Sequence, residues 1–204
     1  QDWDAPNARR ALLVEASLLR PAHSWPFFTK SSRHKNTEIL WTSALRGKRV
    51  LVVSSMSADV TSQYEKHGST LWHPFFDFPD FGSIVTVDAP MTLSGETPFK
   101  NWVEAEADLE RRVAAAMPFD VAILSCGGYG LPVSHFIKAN LSRTAIYVGG
   151  ALQLWFGIKG RRWTDVQARH PMLATLFNRS AWICPTYVPA AGGIVEKGAY
   201  WCAR

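Results

Sequence analysis

Apolar residues in this chain fall into short unbroken blocks and longer periodic stretches. Val50-Leu51-Val52-Val53 and Val121-Ala122-Ile123-Leu124 carry no polar alternation, the pattern of strands buried on both faces. The first block follows Gly47-Lys48-Arg49, and the second extends to a strand over 120–125. Runs at 83–87, ending on Asp88, and at 144–148 read as two more strands. Between them lie helical patterns over 59–67 and 131–140, and from Gly149-Gly150 through Phe156. Pro98 opens the clearest helix, through Met117, with Trp102, Val103, Leu109, Val113, Ala116 and Met117 near one face. Glu104, Glu106, Asp108 and Glu110 occupy its earlier turns and Arg111 and Arg112 its later half, matching the helix dipole. Glu104 and Glu106 point about 200° apart on a helix, so these acids read as a solvated face rather than a metal site. Upstream, 5–19 reads as a helix halted by Pro21, and Asn36 as the cap of a short helix running to Leu45.

Strand, turn and helix repeat with crossover lengths suited to parallel β-α-β units. The expected fold is α/β, a Rossmann-like three-layer sandwich with a mostly parallel sheet. One such domain spans 1–204, with an N-terminal helix and extension over 1–36. A composition of 47% hydrophobic and 19% charged residues excludes intrinsic disorder. With 204 residues the chain can bury its own core, which excludes a small disulfide scaffold. No apolar run approaches the roughly 18 residues of a membrane span.

Charge and sulfur narrow the field only slightly. The net charge of +5 is dispersed, densest at 30–35 and 159–162. Neither an RNA-binding aromatic motif, zinc-finger spacing nor a basic helix accompanies it, which argues against nucleic acid as the partner. Cys126, Cys184 and Cys202 are odd in number and far apart, and no C-x-x-C pair exists. They read as reduced thiols, the state of the cytoplasm or of a reducing organelle interior. No signal peptide is visible, and the chain opens on Gln1 rather than Met. Between Leu71 and Gly82, Trp72, Phe75, Phe76, Phe78 and Phe81 alternate with Pro74, Asp77, Pro79 and Asp80. Prolines forbid a regular helix there, leaving a loop folded over the core or a stacking wall for a sugar or base.

Parallel sheets place ligands beyond the carboxyl ends of their strands. Those ends read Ser54-Ser55, Asp88-Ala89, Ser125-Cys126-Gly127-Gly128 and Gly149-Gly150. Gly127-Gly128-Tyr129-Gly130 and Gly149-Gly150 would let backbone amides approach a diphosphate, although neither is a full dinucleotide fingerprint or a P-loop. Gln153, on the first turn after Gly149-Gly150, is placed to hydrogen-bond a ligand. Lys159 and Arg162 bring positive charge for phosphates. Glu196 and Asp88 are the carboxylates offered as catalytic, and Glu196 could instead contact sugar hydroxyls. Tyr200 and Trp201 lie close to Glu196 and read as C-terminal packing. Cys126 has no histidine partner nearby in sequence and reads as packing under the glycine turn.

Four stretches carry a resemblance: Trp41 to Val52, Cys126 to Pro132, Gly149 to Trp163 (GGALQLWFGIKGRRW) and Glu196 to Trp201 (EKGAYW). Over 37–201 the chain resembles the C-terminal, Rossmann-like portion of the GT-D-type glycosyltransferase-like family. The resemblance implies a nucleotide sugar donor, transfer of its sugar to an acceptor hydroxyl, and a divalent metal held by an acidic D-G-E-type motif near the N-terminus. That triplet is not found, Asp2-Trp3-Asp4 being the nearest approach. Relatives carry His-Pro after the first strand where this chain has Ser54-Ser55.

Two functions are therefore expected. One is a glycosyltransferase-like domain binding a nucleotide sugar at the glycine turns. The other is a non-catalytic domain of the same fold serving as a structural or interaction subunit with protein partners, suggested by nine Trp and 11 Phe. A Rossmann-like nucleotide-binding protein or oxidoreductase comes third. An open cleft lined by both glycine turns favours the first. A filled cleft with exposed aromatics over 72–81 favours the second.

Overall fold

A computed structural model describes residues 41–73, 78–92, 97–163, 177–193 and 195–202. The helix expected over 5–19, the extension to 36, and Phe75 and Phe76 lie outside these residues. Four strands, β1 (Arg49–Ser54), β2 (Ser83–Asp88), β3 (Val121–Ser125) and β4 (Thr144–Tyr147), form one sheet in the order β2-β1-β3-β4. Every pairing is parallel; Val52 lies between Thr86 and Ile123, for example. Helices α1 (Ser57–His67), α2 (Trp102–Ala115), α3 (Gly130–Asn140) and the short α4 (Ala151–Trp155) follow the strands in turn. The chain is thus α/β and Rossmann-like, with a doubly wound sheet.

The unbroken apolar blocks behave as expected because each strand has two covered faces. Val50, Val52, Val121 and Ile123 join Val60 of α1 and Leu152, Trp155 and Phe156 on one side. Leu51, Val53, Ala122 and Leu124 join Leu109 and Val113 of α2 and Val133 and Ile137 of α3 on the other. Three layers result, with the core split by the sheet. The aromatic segment folds over the first core: Trp72 and Phe78 are buried, and Phe78 stacks on Trp155 with ring centroids 4.5 Å apart.

Three features differ from the sequence expectations. The helix expected from Pro98 begins at Trp102, where the Asn101 side chain accepts from Glu104 N and the Glu104 carboxylate accepts from Lys100 N. Its buried face is Ala105, Leu109 and Val113, whereas Trp102 and Val103 stand 62% and 55% exposed. The described residues up to Leu45 form a 3-10 turn, Trp41–Leu45, rather than the end of an α-helix.

The third difference is chemical. Cys184 and Cys202 form a disulfide, with Cα atoms 5.8 Å apart, and only Cys126 is free. A parallel bridge between Ile158 and Ile183 lays the segment after α4 beside Cys184. Arg161 N donates to Trp201 O at 2.8 Å and Arg162 N to Ala199 O at 3.1 Å, which brings Cys202 to the same place. The expectation of three reduced thiols is corrected accordingly: cysteines remote in sequence meet through backbone pairing.

Candidate functional site

With this strand order the chain winds outward in both directions from between β1 and β3, and a crevice opens where the winding reverses. A cavity of about 540 Å³ lies there, lined by Ser54, Ser125, both glycine turns, Glu196 and Trp102 among others. That size falls in the range of small-molecule sites, about 300 to 1,000 Å³. β1 and its following turn contribute Ser54-Ser55-Met56, the chain after β2 contributes Ala89 to Thr92, and the C-terminal segment contributes Val195, Glu196, Tyr200 and Trp201.

The glycines do different work. Gly127 and Gly149 have φ of +55° and +57°, a left-handed conformation in which a side chain is strained. Gly130 answers a close approach instead: a Cβ there would sit 2.3 Å from the Tyr147 ring. At Gly150 a Cβ would lie 3.0 Å from Tyr200 and 3.2 Å from Arg162 Nη1, so this turn makes room for the C-terminal cluster.

Glu196 anchors that cluster. Its carboxylate pairs with Arg162 Nη2 and accepts from Tyr200 Oη at 2.7 Å, while the Arg162 guanidinium lies 5.1 Å from the Tyr200 ring centre. Burial first, then the Glu196 hydrogen bond, push the Tyr200 phenol up to about 12, so it remains a donor at neutral pH. Glu196 and Lys197 themselves adopt left-handed backbone, with φ of +45° and +56°. Two such non-glycine residues cost about 1–2 kcal/mol each; Arg162 pairs with the Glu196 carboxylate and Arg161 with the Lys197 carbonyl at this turn. Strain of this kind concentrates where a side chain must be aimed.

Gln153 is buried, and its Nε2 donates to Tyr200 O at 2.6 Å. Its Oε1 is buried without a hydrogen-bond partner among the described residues. Cys126 lines the cavity, but burial pushes its thiol up to about 12, so it stays protonated and is no nucleophile at neutral pH.

The structure therefore brings Gly127, Gly128, Tyr129, Gly149, Gly150, Gln153 and Glu196 to one cavity, with Arg162 behind Glu196 and Gly130 beneath Tyr147. It does not bring Asp88 or Lys159 to the cavity wall. Asp88 accepts from Ser57 Oγ at 3.0 Å, and Lys159 Nζ donates to Phe177 O at 2.8 Å, its ammonium disfavoured by desolvation. Sequence periodicity missed Trp102 and Tyr147, because spacing reports which residues are apolar and not which are left uncovered. Pro132 and Met91 were missed for want of any signal.

Among the described residues no three His, Cys, Asp or Glu side chains group to hold a metal. Glu196 is the one carboxylate on the described cavity wall, and both its oxygens are engaged. That donor set does not fit a hard divalent cation, which wants about six oxygens. No described helix is long and apolar enough to cross a membrane. No protein-family model matches the chain, and no curated protein or solved structure is significantly similar to it.

Proposed function

We propose that the chain is a glycosyltransferase-like domain whose cavity binds a nucleotide sugar, with Glu196 as the carboxylate facing the transferred sugar. The observation that carries this reading is an open cavity at the carboxyl edge of the sheet, lined by both glycine turns. The aromatic segment supports it as well, since Trp72 and Phe78 are spent in the core rather than displayed to a partner. The lining is mostly apolar with a few polar groups, as a site recognising a base and a sugar requires. Gly127 and Gly128 line the cavity just ahead of α3, so bare backbone next to a helix start is what a diphosphate would meet there. Arg162 sets a guanidinium against the second glycine turn, its Nη1 3.2 Å from where a Gly150 Cβ would stand.

In an inverting transfer Glu196 takes the acceptor hydroxyl proton. The acceptor oxygen bonds to the anomeric carbon, and the nucleoside diphosphate leaves with the bonding electrons. A carboxylate accepts about four hydrogen bonds, so Arg162 and Tyr200 leave it room for that proton. Asp88 would serve only if the end of β2 turned it inward.

The alternative, a non-catalytic glycosyltransferase-like domain acting as a subunit, draws on a separate observation: no Lys or Arg is on the described cavity wall. A thermal-shift panel of UDP, GDP, CDP, dTDP, NAD and ATP, each with and without manganese, separates the two. At a hundredfold excess over Kd a ligand stabilises by about 2.7 kcal/mol. That is a rise of roughly 5–10 °C at about 2–4 °C per kcal/mol for a domain of this size. A shift with one nucleoside diphosphate is expected, and Glu196→Gln should keep that shift while abolishing transfer. Silence across the panel would leave the subunit reading standing.

A further inference from the structure

The cavity has two unlike ends. At one, Trp102 opens α2 and is 62% exposed although it lines the cavity. Asn101 and Glu104 cap the helix at that turn, and ten residues further along it Arg112 donates to the Asp88 carbonyl at the end of β2. The walls contributed nearby in the chain, Ala89, Pro90 and Met91, are apolar. At the other end Glu196 and Tyr200 stand against Gly150, beyond β4. Along the sheet edge the order is β2-β1-β3-β4. The outer strands of the described sheet, β2 followed by Ala89, Pro90 and Met91 and β4 followed by the Gly149-Gly150 turn, are thus three inter-strand steps apart, about 14 Å at the usual spacing of about 4.8 Å. Between them, after β3, lies the Gly127-Gly128 turn.

We propose that this polarity sets the direction of the ligand: the planar base stacks on Trp102, the diphosphate crosses the Gly127-Gly128 turn, and the glycosyl group lies at Glu196 and Tyr200. A largely exposed indole on a cavity wall offers a face to any flat ring. The charged and hydroxyl-bearing end, by contrast, offers acceptors and donors for sugar hydroxyls. This direction rests on the nucleotide-sugar reading above.

Isothermal titration of the full chain tests it, with UDP, GDP and dTDP and their esters UDP-glucose, GDP-mannose and dTDP-glucose as probes. Trp102→Ala should weaken the free diphosphate roughly tenfold or more, and Trp102→Phe, which keeps a ring, should restore most of the loss. Glu196→Gln should bind the free diphosphate no more weakly than wild type and lose affinity only for the sugar ester. Unchanged diphosphate affinity in Trp102→Ala overturns the direction while the nucleotide-sugar reading survives. So does a loss of free-diphosphate affinity in Glu196→Gln. Wild-type protein that binds none of the six probes overturns both. Because Trp102 is exposed, its substitutions leave the buried face of α2 intact.

Discussion

Gly130 shows how one residue can serve two elements at once. It begins α3 with φ of −61°, an ordinary helical value, so alanine there would gain helix propensity, about 1 kcal/mol. Yet the added Cβ would stand 2.3–2.8 Å from three atoms of the Tyr147 ring, whose hydroxyl donates to Gly127 O at 3.0 Å. Overpacking of that kind costs about 1–3 kcal/mol, so the clash outweighs the propensity. Gly130→Ala is expected to lower stability by about 1 kcal/mol and to swing Tyr147 off the Gly127 turn. In a Tyr147→Ala background the same substitution should become neutral or stabilising. A double-mutant cycle by urea denaturation reads the coupling, and simple additivity would show that the ring is not what excludes a side chain.

Arg49 and Asp120 hold the amino ends of the central strands β1 and β3. The Asp120 carboxylate accepts from Arg49 N at 2.8 Å and from Nη2 at 2.6 Å, with Nε bridging both oxygens at 3.2 Å. The Arg49 side chain, then its backbone amide, hold the Asp120 carboxyl well below the usual carboxylate range. A depressed folded-state value contributes stability that is fully present above the unfolded value near 4 and is lost as pH falls through the folded one. Asp120→Asn should therefore have a lower urea midpoint at pH 7, and its deficit should shrink as the pH is taken from about 4 towards 2. A deficit constant with pH would mean that packing, not charge, carries the contact. Asp108, held low by Arg112 and Arg111, titrates in both proteins and cancels in the comparison. These strands were legible in the sequence because Val50 to Val53 and Val121 to Leu124 need cover on both faces, a demand that a central parallel strand meets. The glycine turns at the strand ends were legible too, because Gly127 and Gly149 each adopt φ above zero, where other residues are strained. The start of α2 was not, because Pro98 is compatible with a first helical turn, and the Asn101 cap further along decides the boundary.

On the scale of the molecule, the C-terminal segment is a wall of the cavity brought from far along the chain. Val195, Glu196, Tyr200 and Trp201 line the cavity, and Gln153, Gly160, Arg161 and Arg162 receive the segment. At Gly160 a Cβ would strike the Tyr200 carbonyl oxygen at 2.6 Å, so this glycine is a docking surface for backbone. That explains physically why GGALQLWFGIKGRRW and EKGAYW occur in one chain: they are two sides of one contact. Pattern reading could find both stretches but not their pairing, since nothing local in either refers to the other. The Cys184–Cys202 disulfide closes the same contact with a sequence separation of 18. Closing a loop of that length removes about 3 kcal/mol of unfolded-state entropy. Reduction by dithiothreitol should then lower the melting temperature by roughly 6–12 °C, at about 2–4 °C per kcal/mol. It should also weaken whatever the cavity binds, because the loosened segment carries Glu196 and Tyr200. The Cys184→Ser/Cys202→Ser variant should reproduce both effects and be indifferent to dithiothreitol, while Cys126, buried and outside the bond, remains in place as an internal control. A wild-type melting curve that dithiothreitol leaves unmoved would mean that backbone hydrogen bonds alone hold the segment against the sheet.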